Sequence, residues 1–256
     1  MKRNRRKKNW NIIFDMDGVI FDTEKLYLAC CVPAAEKMGF DGIEKVAYEC
    51  IGLTEDETHK KLQVFFGDDA LVEKFDQEMY RIFKERYEAE GLALKKGAAE
   101  LLAYLKGADV SGAEGLCART AIASSTRSDI VEMELRDAGL LDYFDVIVGG
   151  EMAGASKPAP DIFLLAAEKL RAVGTEKLDA VEEENRVADA VDDRKMKEFI
   201  VIEDSFNGVR AAHAAGATVV MVPDLLTPTE EILALTDHVF DSLLDVRVWL
   251  EKMSED

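Results

Sequence analysis

The stretch Phe14-Asp15-Met16-Asp17-Gly18-Val19-Ile20-Phe21-Asp22 constrains this chain more than any other, because an apolar strand pattern runs directly into two carboxylates and a glycine. Residues two apart in extended backbone project to the same side. Asp15 and Asp17 are therefore expected to face one space, roughly 6 to 7 Å apart along the chain at ~3.3 Å rise per residue. One phosphate and one divalent cation fit there, which points to phosphoryl-transfer chemistry.

Four further apolar, β-branched runs, at residues 120–124, 144–148, 199–203 and 217–222, join the first at 10–15. They are continuous rather than alternating, as strands buried on both faces should be. Helical patterns lie between most of them. Ile130, Val131, Leu135 and Ala138 form one apolar face. Phe163, Ala166, Ala167 and Leu170 form a second that begins after Pro160, a good first-turn residue, and Val209, Ala212 and His213 form a third that Gly216 can end. This alternation predicts an α/β fold with a parallel sheet wrapped by helices.

Residues 22–94 break the alternation, with helical patterns and no convincing strand. They read as a separate helical unit inserted into a core made of residues 1–21 and 95–256. Thr54 and Glu57 suit a capping box, followed by apolar Leu62, Phe65 and Phe66. Leu71, Phe75, Met79, Ile82 and Phe83 mark the buried face of a longer helix. The small, polar run 107–115 reads as a loop. The acidic run 174–198 reads as a solvated helix or an excursion without assigned function.

A length of 256 residues allows a well-buried core plus a smaller unit. With 48% hydrophobic and 32% charged residues and no apolar run of bilayer length, no membrane role is expected. The net charge is -19 even though Lys2, Arg3, Arg5, Arg6, Lys7 and Lys8 are basic, so no nucleic-acid partner is expected and the basic terminus reads as solvated. Cys30, Cys31, Cys50 and Cys117 have neither zinc-ligand nor Cys-x-x-Cys spacing, which suits a reduced, cytoplasmic compartment. His59, His213 and His238 are scattered and read as packing or surface residues. Nothing in the pattern bears on oligomeric state.

In open parallel sheets, ligands bind beyond the carboxyl ends of the strands, where helix N-termini point at them. Asp15 ends the first expected strand, Ser124 and Ser125 the second, and Glu203 and Asp204 the fourth, while Lys157 follows the third. Each cluster alone could be a turn, a cap or a surface lysine. Together they converge on one edge. An ionised Asp15 is expected to attack phosphorus, and Asp17 to protonate the leaving oxygen and then deprotonate water. Mg²⁺ is the natural cation, held by Asp15 and Asp204, with Glu203 bound directly or orienting a water. Ser124 and the Ser125 amide are expected to hold phosphoryl oxygens, with Lys157 offsetting charge. Gly18 permits close backbone approach.

These residues resemble the haloacid dehalogenase superfamily, in the branch with a helical cap inserted after the first strand. The motifs are Phe-Asp-Met-Asp-Gly-Val at 14–19, Ala-Ser-Ser-Thr at 123–126, Ser-Lys-Pro-Ala-Pro-Asp at 156–161 and Ile-Glu-Asp-Ser at 202–205, spread over nearly the whole chain. The resemblance implies a Rossmann-like core, Mg²⁺, an aspartyl-phosphate, a closing cap, and the Asp17 backbone carbonyl as a further metal ligand. Dehalogenases and phosphonatases of this superfamily lack an acid at the Asp17 position, so phosphate esters are the expected substrates. In the similar β-phosphoglucomutases a cap histidine stands about where this chain has Tyr27 and a phosphate-binding arginine about where it has Glu55. The expectation is thus a phosphatase for a small phosphorylated metabolite. A phosphosugar mutase and a catalytically silent binding protein are the alternatives.

Overall fold

All five residues of β1 (Trp10–Phe14) are buried, and their side chains divide between two faces. Ile12 and Phe14 enter one hydrophobic cluster and Ile13 another, as the period of 2 requires of a strand covered on both sides. The computed structural model describes residues 10–53, 55–108, 114–175 and 196–255, and in it β1 sits inside a seven-stranded sheet. β3 (Glu114–Ala123) and β5 (Phe199–Glu203) flank it in parallel. Outside β3 lie β4 (Val146–Val148), parallel, and β2 (Lys106–Ala108), antiparallel. Outside β5 come β6 (Thr218–Met221) and β7 (His238–Val239), both parallel.

The Phe14 face is covered by α5 (Ala98–Leu105), α6 (Ser128–Asp137) and α10 (Leu243–Glu255). The Ile13 face is covered by α7 (Asp161–Thr175), α8 (Phe206–Ala214) and α9 (Glu230–Leu235). A third cluster draws only on residues 26–83, from α1 (Thr23–Lys37), α2 (Ile43–Cys50), α3 (Glu55–Phe66) and α4 (Asp69–Glu90). Phe66 stands edge-on to Phe40 and Phe65, both at 4.9 Å between ring centroids. The chain enters and leaves these helices side by side. Asp22 N–H donates to Ala93 O at 2.8 Å, Lys95 N–H donates to Ile20 O at 2.9 Å, and Phe21 pairs antiparallel with Leu94.

Several expectations need correction. The run 107–115 is not simply a loop: Gly107 belongs to β2, which pairs with the start of β3, six residues ahead of the expected strand start at 120. Gly115 fits because a Cβ there would fall 2.5 Å from Tyr104 O. Phe144 and Asp145 precede β4 rather than belonging to it, and the Asp145 carboxylate accepts from Thr120 N–H at 2.8 Å. Ile130 and His213 are exposed, because the buried arcs of α6 and α8 are centred on Val131 and Leu135 and on Val209 and Ala212. Residues 2–8, Thr54 of the expected capping box, and residues 176–195 lie outside the described residues. Among the described residues no helix is long and apolar enough to cross a membrane.

Gly97 starts α5 at φ +89°, and a Cβ there would lie 2.4 Å from Leu244 N in α10. Gly97→Ala combines a left-handed alanine with displacement of α10 and is expected to cost about 2 to 4 kcal/mol. A urea titration measures this, and an unchanged midpoint would mean that the α5–α10 contact contributes little.

Candidate active site

Asp15 follows β1 and continues its ladder, its N–H donating to Ile202 O at 2.9 Å. From β1 the chain builds β3 and β4 on one side and later β5, β6 and β7 on the other. A crevice therefore opens above the carboxyl end of β1, at the topological switch point. Asp15 stands at its floor, with only 6% of its surface exposed.

Lys157, in the connection from β4 to α7, is buried beside it. Its ammonium donates to Asp15 Oδ1 at 2.5 Å, to Glu203 Oε1 at 2.6 Å and to Ala123 O at 3.2 Å. It also lies 4.9 Å from the centre of the Phe163 ring. All three ammonium protons thus have acceptors, which a buried lysine needs. Burial opposes the charge on Lys157, but the Asp15 and Glu203 carboxylates outweigh it and hold the ammonium above its ordinary pKa.

Glu203 ends β5, fully buried. Its Oε2 accepts from the backbone N–H groups of Asp204 and Ser205 at 3.0 and 3.1 Å and from the Ser205 hydroxyl at 3.0 Å. Both oxygens are therefore engaged, one by Lys157 and one by the turn into α8. Gly208 makes room for them, since a Cβ there would fall within about 2 Å of the carboxylate. Ser205 also caps α8 by accepting from Gly208 N–H at 3.1 Å. Gly18 plays the matching part for Asp204: at φ +76° its Cβ would fall 2.1 Å from Asp204 Oδ2.

Asp17 has different partners. It accepts from the Thr126 hydroxyl at 2.9 Å and from the Ser124 hydroxyl at 3.3 Å, while Ser124 Oγ accepts from Thr126 N–H at 3.0 Å. Ser124, expected to face a phosphate, is fully buried behind Asp17. Exposed Ser125 reaches the crevice instead.

Oxygens of Asp15, Glu203 and Asp204 approach within 4.8 Å of one another. Burial, opposed by Lys157 and reinforced by Glu203 and Asp17, holds the Asp15 carboxyl well above the ordinary carboxylate range. Burial and the neighbouring Glu203, Asp15 and Glu24 do the same to Asp204. Three buried carboxylates against one ammonium leave excess negative charge, and such an all-oxygen donor set fits a hard divalent cation.

The crevice is a cavity of about 410 Å³ between the sheet edge and the helical unit. Asp15, Asp17, Lys157 and Asp204 line it from the sheet side, and Thr23, Glu24, Tyr27 and the 50–53 turn line it from the helices. The helices touch the core nearby, with Asn207 Nδ2 donating to Gly52 O at 3.0 Å and the Tyr48 hydroxyl to Leu225 O at 2.7 Å. Sequence reasoning missed Thr126, Glu24, Ser205 and Asn207 as site residues. Thr126 and Ser205 were within reach, as the last residues of the 123–126 and 202–205 motifs. Glu24 and Asn207 are brought in by packing.

A carboxylate-rich crevice at the carboxyl edge of a mostly parallel sheet defines an α/β enzyme. Residues 12–222 match the profile of the haloacid dehalogenase-like hydrolases, and the chain belongs to that family. A phosphorylated carbohydrates phosphatase of Thermotoga maritima is 30% identical over 223 residues, covering 87% of this chain and 99% of its own. Protein CbbY of Cereibacter sphaeroides is 29% identical, over 92% of this chain and 93% of its own. The crystal structure of a candidate β-phosphoglucomutase from Thermotoga maritima superposes with a TM-score of 0.69 at 27% identity, over 95% of this chain and 99% of that one.

Lys157→Met is expected to destabilise the metal-free protein by about 3 to 5 kcal/mol at pH 7, because Asp15 and Glu203 lose their buried counter-charge. A carboxyl whose folded pKa is raised binds protons more readily folded than unfolded. The deficit should therefore shrink as pH falls toward about 4, the ordinary carboxylate value. Denaturant melts of both proteins in chelator across pH 4 to 8 measure this, and a deficit independent of pH would contradict it.

Proposed function

We propose that this chain is a Mg²⁺-dependent phosphatase that hydrolyses a small phosphomonoester, such as a sugar phosphate, through an aspartyl-phosphate on Asp15. One observation carries the reading: Asp15 and Asp17 share a cavity but have separate partners, Asp15 a buried ammonium and Asp17 two hydroxyls. Two carboxyls in different surroundings can take two roles.

In the first step Asp15 Oδ attacks phosphorus and the ester P–O bond breaks, while Asp17 gives its proton to the leaving alcohol. In the second, Asp17 takes a proton from water, whose oxygen attacks the phosphorus of the acyl phosphate. Inorganic phosphate leaves and Asp15 is regenerated. Thr126 and Ser124 orient Asp17, the Ser125 amide holds a phosphoryl oxygen, and Lys157 offsets charge between Asp15 and the transferring group. Asp15, Asp204 and the Asp17 carbonyl are the ligands assigned to Mg²⁺, which supplies positive charge to the transferring group. Glu203, with both oxygens engaged, positions Lys157 and the Asp204 turn. Residues 22–94 serve as a cap over residues 1–21 and 95–256, closing on the substrate and excluding water. The paired segments at Asp22 and 94–97 act as its hinge.

The name of the Thermotoga relative supports a phosphorylated carbohydrate as substrate. Tyr27 favours hydrolysis over phosphosugar mutation. It lines the cavity where mutases are expected to carry a histidine, and burial raises its phenol far above the range in which it could take a proton at neutral pH. The four described cysteines are free, which fits a reducing, cytoplasmic location.

Phosphate release from a panel of small monoesters, with Mg²⁺ or chelator and beside a glucose 1-phosphate isomerisation assay, tests the reading. Release is expected only with Mg²⁺, and isomerisation without release would favour the mutase. Asp15→Asn should abolish turnover, because an amide does not attack phosphorus; wild-type rates in that variant would end the assignment. Asp17→Asn should slow turnover by roughly 10² or more while Mg²⁺ affinity, measured by calorimetry, stays close to wild type.

A further inference from the structure

We propose that Asn207 is a positioning residue that fastens the 50–53 turn of the helical unit over the cavity, and that Arg210 and Glu231, outside the cavity, aim its amide. The bearing of this contact on turnover rests on the phosphatase reading; the contact itself does not.

The turn is a wall of the cavity. Cys50, Ile51, Gly52 and Leu53 all line the space that contains Asp15. Where α2 ends, Ile51 N–H donates to Tyr48 O at 3.3 Å and Leu53 N–H to Cys50 O at 3.1 Å, and Gly52 turns the chain at φ +72°. Its carbonyl accepts from Asn207 Nδ2 at 3.0 Å, a partner 155 positions away in sequence. A Cβ on Gly52 would lie 3.8 Å from Ser205 Cβ and 3.6 Å from Leu226, so the turn sits directly on the start of α8. Asp204 and Ser205 stand just ahead of Asn207 there, which puts the wall and part of the carboxyl cluster on one piece of backbone.

Asn207 can make this contact with only one end of its amide. The NH₂ end donates to a carbonyl, whereas the oxygen end would face it as a second acceptor. The two ends are alike in shape, so packing does not choose between them; charge does. Arg210, one helical turn along α8, donates from Nη1 to Asn207 Oδ1 at 3.3 Å. From Nε and Nη2 it donates to Glu231 Oε1 and Oε2 at 2.9 and 3.1 Å, the forked pairing that fixes a guanidinium plane. The Glu231 side chain is 62% exposed and that of Arg210 35%, so the pair adds little to stability. What it supplies is direction.

Amide hydrogen exchange of the full chain, read by mass spectrometry, and kcat/KM for a small polyol monophosphate with Mg²⁺ test this in Asn207→Leu, Arg210→Met and the double variant. Asn207→Leu keeps the bulk of the side chain and removes the bond. Exchange at residues 50–53 is expected to quicken about threefold to tenfold, and kcat/KM to fall by a similar factor, the range set by one net hydrogen bond. Arg210→Met should give a smaller effect of the same kind, and the double variant should match Asn207→Leu alone, because Arg210 acts through that amide. Exchange at residues 209–214, in the body of α8, should stay at wild-type rates, which a general loosening of the helix would not allow. Asn207→Asp keeps the shape and the pairing with Arg210 but has no donor, so it should reproduce Asn207→Leu and decides the matter if that variant does not fold. Unchanged exchange at 50–53 in the Asn207 variants, additive effects in the double variant, or equal quickening along α8 overturns the inference. Quickened exchange with unchanged kcat/KM overturns its bearing on turnover, and quickened exchange in a protein that releases phosphate from no ester leaves the contact standing and overturns the phosphatase reading.

Discussion

A buried ammonium between two buried carboxylates organises this molecule. Lys157 reaches from the β4–α7 connection to Asp15, which follows β1, and to Glu203, which ends β5. Its interaction thus ties together three of the sheet's connections at one point. Each of these charges would be costly alone in a hydrophobic interior. The arrangement persists because every donor and acceptor around Lys157 and Glu203 is engaged, and because Gly208 and Gly18 leave space that any side chain would fill.

The sheet supplies the position of this pairing. Placing β1 at the switch point separates the loops after β3 and β5, so the Ser124–Thr126 hydroxyls approach Asp17 from one side and the Glu203–Asp204 turn approaches Asp15 from the other. The consequence is two carboxyls two residues apart with unlike environments, which acid/base and nucleophilic chemistry both require. The helices of residues 23–90 add the roof and contribute Glu24 and Tyr27 to the same cavity.

Much of this was legible because its signals are local. Continuous apolar runs that end in Asp15, Ser124 and Glu203 announce both the buried strands and their polar carboxyl ends, and parallel order follows from the helices between them. What stayed hidden depends on contacts across the fold. Ser124 has the residue type of a phosphate ligand, yet its hydroxyl is drawn to Asp17, 107 residues away in sequence. Glu24 gives no local sign of function, because only the folding of α1 over the sheet edge brings it into the cavity. The β2–β3 pairing is masked by Gly107 and Gly115, residues of low strand propensity, the first kept there by a φ of +81° and the second by close backbone approach. Ile130 and His213 look like helix-face residues but lie just outside narrower buried arcs.

The central claim is that Asp15 accepts a phosphoryl group in a pocket completed by a divalent cation and Lys157. Trifluoroberyllate imitates a phosphoryl group attached to a carboxylate, and fluorine NMR of the protein with beryllium fluoride reads that bond directly. Protein-bound fluorine resonances that need Mg²⁺ and vanish in Asp15→Asn are the expected result. No bound resonance in the wild type with Mg²⁺, or the same resonances in Asp15→Asn, would contradict the account.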